Sequence, residues 1–120
     1  MLRNKKQKYR KPTREEMLAL RPKRADFHWT VNTKGLVEIT VPKFNRKAGV
    51  VLCKILKKQN IFIAHMDILG SAIWKQCDGK QTVHQILSIL EKEFPKENDI
   101  DTRLFYFIQQ MAMLHYLDLS

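Results

Sequence analysis

An α+β fold, with a three-stranded antiparallel sheet followed by three helices behind a basic N-terminal arm, is predicted by three features of this 120-residue sequence. Apolar residues alternate at period two through residues 27–41, the pattern of a half-buried hairpin. From residue 68 onward the apolar spacing changes to the 3.6-residue period of helices. Short segments of cap and turn chemistry separate the elements.

The elements follow in order. Residues 1–12 are rich in Lys and Arg and nearly free of apolar groups, so a disordered or loosely attached arm is expected. Thr13-Arg14-Glu15-Glu16 has capping-box chemistry and should open a short helix through Met17, Leu18 and Leu20, ended by Pro22. Phe27, Trp29 and Val31 alternate with His28, Thr30 and Asn32 as a strand. Asn32-Thr33-Lys34-Gly35 forms the turn, with glycine available for a positive φ. Val37, Ile39 and Val41 then share one face of a second strand, which Pro42 closes.

Residues 43–58 mix Phe44, Val50, Val51, Leu52, Ile55 and Leu56 with Lys43, Arg46, Lys47, Lys54, Lys57 and Lys58. They read as a basic insertion, with an amphipathic helix from Ala48 to Lys57 that Gly49 and the valines weaken. It either covers the hairpin with its lysines in water or touches an acidic membrane surface.

Ile61-Phe62-Ile63-Ala64 is the third strand. The segment from Met66 to Val83 is the densest in signals. Asp67 is placed to cap a helix on which Ile68, Leu69, Ala72 and Ile73 fall at helical spacing with Trp74 beside them, so one side is apolar. Gly70, costly in the middle of a helix, implies close packing there. Asp78-Gly79 stops the helix, and Thr82 with Gln85 forms a second capping box. The next helix uses Val83, Ile86, Leu87, Leu90 and Phe94, and Pro95 ends it. A third helix starts near Asn98 or Asp99 and buries Leu104, Phe107, Ile108, Met111 and Leu114. Tyr116 to Leu119 is an extended tail against the body. This order, with a helix–turn–helix at its centre, resembles a winged-helix arrangement. Residues 1–24 thus form a basic arm with a short helix, and residues 25–120 a single domain.

The charge of +10 is uneven. Residues 1–24 hold ten cations against two acids, residues 25–58 seven against two, and residues 59–120 five against eight. That distribution suits a charged arm on an ordinary module, one able to recruit an acidic partner, better than a uniformly cationic nucleic-acid binder. Cys53 and Cys77 match no zinc spacing and read as reduced, which together with the absence of a signal peptide points to the cytoplasm. No run of about 18 apolar residues exists, so no transmembrane segment is expected. His28, His65, His84 and His115 fall on four different elements, without the i, i+4 pairing of a metal site. A Cys77–His84 or Cys53–His65 pair lacks an orienting carboxylate nearby, and Cys77 reads as packing. Trp74 reads as core, with an indole N–H that needs a buried acceptor.

Asp67, Gly70, Ile73, Trp74, Cys77, Asp78, Gly79, Lys80, Thr82 and Val83 together form a D-x-x-G-x-x-I-W-x-x-C-D-G-K-x-T-V segment. It resembles the PqqD family, the small proteins of pyrroloquinoline quinone (PQQ) biosynthesis and their stand-alone relatives. The likeness runs on through Ile86, Leu90, Phe94, Phe107, Ile108, Met111, Tyr116 and Leu117. It departs at His115, where relatives tend to have glycine, and in the 43–58 insertion.

The resemblance implies a peptide-binding module or chaperone rather than an enzyme, needing no cofactor. Such modules bind the leader of a ribosomally made precursor peptide by strand addition. They present it to a radical S-adenosylmethionine (SAM) or other modifying enzyme. The peptide-binding residues are then expected at Ile61, Phe62, Ile63 and Ala64 of the third strand. Arg103, Tyr106 and Gln110 share one side of the third helix by their spacing, with Phe107 beside them. They are expected to line the groove, the alternative being an ordinary solvated face. An open third-strand edge also permits a homodimer. The rival reading is a winged-helix nucleic-acid-binding regulator, opposed by the acids Glu91, Glu93, Glu97, Asp99 and Asp101 on its candidate recognition helices.

Overall fold

The computed structural model describes residues 12–42 and 61–119. The arm before Pro12, the basic insertion over 43–58 and the Cys53–His65 pairing lie outside these residues. The described elements are α1 (Arg14–Ala19), β1 (Lys23–Arg24), β2 (His28–Val31), β3 (Val37–Pro42), β4 (Ile61–His65), α2 (Ile68–Gln76), α3 (Val83–Glu93), α4 (Ile100–Met113) and β5 (Leu117–Asp118). The expected α+β architecture is present: β2, β3 and β4 form an antiparallel sheet in that order, and three longer helices follow.

Local chemistry sets the boundaries. Both capping boxes form. Thr13 Oγ1 accepts the Glu16 N–H at 3.1 Å while Glu16 Oε1 accepts the Thr13 N–H at 2.9 Å. Thr82 and Gln85 exchange the same pair of bonds at 3.2 and 2.8 Å. The β2–β3 hairpin turns at Gly35, whose φ of 80° suits glycine. Asn32 Oδ1 holds the turn by accepting from Lys34 and Leu36 N–H. After α2, Asp78 Oδ1 accepts the Lys80 and Gln81 N–H groups at 2.8 and 3.0 Å. Those bonds hold its carboxyl below the usual carboxylate range.

The core lies between the sheet's inner face and the helices. Val37 and Ile39 of β3 meet Ile73 and Trp74 of α2, Val83, Ile86 and Leu90 of α3, and Leu104 and Ile108 of α4, all buried. Met17 brings α1 into the same core. Where β3 begins, the Val37 N–H donates to Ser71 Oγ at 2.8 Å. That bond ties the sheet to α2 through the single buried polar side chain among the described residues.

Several details differ from the sequence expectations. Leu114, just past the end of α4, is 56% exposed, and Phe107 is only half-buried, packing against the core while its other side lines a groove. Val31 is 47% exposed, since β2 ends the sheet and nothing described covers its far end. Gly70 stands in the first turn of α2, three residues after the cap. Trp74 is fully buried, but its Nε1–H has no acceptor among the described residues. Its ring instead meets Trp29 edge-to-face at 6.3 Å.

The tail does more than lie on the body: β5 pairs antiparallel with β1, Lys23 opposite Asp118 and Arg24 opposite Leu117. Arg24 anchors this ribbon. Its guanidinium donates to the Trp74 and Lys75 carbonyls at the end of α2, 3.0 Å each, and lies over the Trp29 ring.

Candidate functional site: a sheet edge and an apolar groove

β4 is the last strand of its sheet among the described residues. Antiparallel strands direct successive backbone groups alternately to the two sides. The Asn32 N–H donates to the Leu36 carbonyl and the Met66 N–H to the Val37 carbonyl. Even-numbered residues of β3 therefore bond β2, and odd-numbered ones bond β4. With Ile39 opposite Ala64 and Val41 opposite Phe62, the backbone groups of Ala64 and Phe62 face β3. Those of Ile63 and His65 face outward. The Ile63 side chain, 39% exposed, stands on the solvent side opposite Thr40.

Two residues past β4, Asp67 begins a groove of about 400 Å³ between the start of α2 and one side of α4. Leu69, Ile73, Phe107 and Met111 give it an apolar floor, and Thr102, Arg103, Tyr106 and Gln110 flank it. Gly70 is why α4 comes so close. A Cβ there would sit 2.9 Å from Asp67 Oδ1 and 3.2 Å from Phe107 Cε2. The Asp67 carboxylate is committed to its cap, accepting the Gly70 N–H at 2.6 Å. Arg103 Nη1 donates to Glu97 Oε2 at 3.0 Å, with both side chains about half-exposed.

The structure thus brings Arg103, Tyr106, Phe107 and Gln110 together in one groove, as their helical spacing implied. Ile63 and Ala64 stand apart from it on the adjoining strand. Asp67, Leu69, Gly70, Ile73, Thr102 and Met111 also line the groove, and sequence reasoning assigned several of them only to capping and core. The mid-sequence glycine was the available signal, since close packing at Gly70 is what shapes the floor.

The potential nucleophile is muted. Burial pushes the Cys77 thiol up to about 12, against a smaller opposing effect of Arg24, and its Sγ–H donates to the Ile73 carbonyl. A thiol so protonated is a poor nucleophile. His84, its suggested partner, is exposed on α3. Among the described residues no three His, Cys, Asp or Glu side chains gather as a metal site. No described helix is long and apolar enough to cross a membrane.

The described residues therefore form a small α+β domain with a strand edge that no described strand pairs and a groove that begins two residues past it. Its sequence matches the family model described as Coenzyme PQQ synthesis protein D (PqqD) over residues 59–117, which begins just before β4 and ends in β5. The chain belongs to the PqqD family, whose members are accessory proteins rather than enzymes. No curated protein and no solved structure matches it.

Proposed function

We propose that this protein is a non-catalytic peptide-binding module. It takes the leader segment of a ribosomally made precursor as an added strand on the outer edge of β4 and presents it to a separate modifying enzyme of the radical SAM type. The observation that carries this reading is the outward-facing backbone of Ile63 and His65 beside the α2–α4 groove. Strand addition draws affinity from main-chain hydrogen bonds and selectivity from pockets for alternate side chains. The edge supplies the first and the groove the second. Family membership supports the same role at its coarser level, a peptide-binding accessory of PQQ-type synthesis.

The edge itself provides the test. Proline at position 63 removes an outward N–H while leaving the β3-facing groups of Ala64 and Phe62 in place. A peptide selected on the intact chain from a displayed random library should shift the Ile63 and His65 amides and those along α4. Ile63→Pro should abolish its binding with the β3–β4 amides still protected. Shifts confined to residues 1–24, or binding indifferent to Ile63→Pro, refute the reading.

A further inference from the structure

We infer that the groove selects a segment carrying an aspartate or glutamate beside an apolar anchor, the incoming carboxylate taking Arg103 from Glu97. This rests on the strand-addition reading and names the chemistry of the segment it would hold. The floor of Leu69, Ile73, Phe107 and Met111 can bury an apolar side chain but cannot tell one sequence from another by charge. Charge selection falls to the flanks. Among the described lining residues Arg103 is the single cation, and Asp67, the single acid, is already bonded to the Gly70 N–H.

Arg103 is held in reserve. Its partner Glu97 comes from the loop between α3 and α4 and, among the described residues, accepts from Nη1 alone. A guanidinium has five N–H donors in a planar fork, suited to a bidentate carboxylate. The Arg103 and Glu97 side chains are 44% and 52% exposed, so water screens their attraction and little is lost when they part. Replacing one carboxylate by another keeps the cation paired throughout. A lysine or arginine arriving at the same place would meet like charge and leave Glu97 no gain, which disfavours basic segments. Tyr106, 64% exposed next to Arg103, adds an aromatic surface for the neighbouring anchor.

The probe is a displayed library of random ten-residue segments selected on the intact chain at low ionic strength. Enrichment of Asp or Glu next to Leu, Ile, Phe or Met is expected. A selected peptide should bind about fivefold more tightly than its Glu→Gln analogue, the range of an exposed ion pair, and added salt should narrow the gap. Arg103→Gln should remove that difference and Arg103→Glu should reverse the enrichment toward Lys and Arg. Glu97→Gln, which leaves the groove intact, should tighten the acidic peptide about twofold. An unchanged acidic preference in Arg103→Gln overturns the inference. So does the absence of any acidic preference, although strand addition survives if the Ile63 and His65 amides still shift. Failure to select any segment that shifts either the edge or α4 overturns both.

Discussion

Removing one oxygen atom, by Ser71→Ala, should loosen the join between the sheet and α2. Val37 is fully buried, and its N–H donates to Ser71 Oγ at 2.8 Å, while its carbonyl accepts the Met66 N–H. Alanine leaves that N–H without a protein partner. A buried donor so orphaned costs about 1–3 kcal/mol. Two effects reduce the loss. Alanine is the better helix former by about 0.5 kcal/mol. A hollow of about 340 Å³ lined by Lys34, Gly35, Leu36, Ile68 and Ser71 can also admit water toward the vacated place. The net expectation is a destabilisation of about 1–2 kcal/mol. At about 4–8 °C per kcal/mol for a domain of this size, Tm should fall by about 4–16 °C. Differential scanning calorimetry gives that figure, and hydrogen exchange localises it: the Val37 amide should lose protection more than those of Leu87 and Leu90. An unchanged Tm with Val37 as protected as before would refute the view that this bond fastens β3 to the helical layer.

Three further outcomes are expected. His115 follows α4 at φ 63°, the left-handed region, with its N–H on the Ala112 carbonyl and the Tyr116 N–H on that of Met111; His115→Gly should therefore raise stability by about 1 kcal/mol in urea unfolding, whereas a loss would mean that the imidazole makes a contact worth more than the backbone strain. The Cys77 thiol, pushed by burial from 9.0 to about 12, should resist iodoacetamide at pH 8 in the native protein and react in urea, as peptide mapping would record. Because its folded pKa is the higher, its contribution is complete below pH 9, falls as the unfolded thiol ionises, and is lost as pH approaches 12; Cys77→Ala should flatten that alkaline decline, and an equal slope in both proteins would count against it.

Local chemistry was legible in the sequence. Both capping boxes, the Asp67 cap, the Gly35 turn and the Asp78-Gly79 stop form as their residue types require, because each is satisfied by atoms within a few positions along the chain. The β3 face of Val37, Ile39 and Val41 and the α3 stripe follow equally from period. Shared helical spacing also placed Arg103, Tyr106 and Gln110 on one side of α4. What spacing cannot say is which side of a helix meets another element, so Leu114 was assigned to the core although it is exposed, while Phe107 serves both the core and the groove.

The β1–β5 ribbon was invisible for a related reason: two-residue strands far apart in the chain carry no periodic signal, and they meet only once Arg24 has bonded the end of α2 and the Ala25 N–H and Phe27 ring have met Tyr116. The sequence by itself determined the caps and turns that bound α2, α3 and the hairpin, and the apolar faces of β3 and α3. Tertiary structure alone decided that β4 closes the described sheet with an outward backbone edge. It also decided that Gly70 lets Phe107 approach within 3.2 Å of where a Cβ would stand, shaping the groove. Caps and periods act over a single turn or strand, whereas an edge and a groove exist only once distant segments have packed.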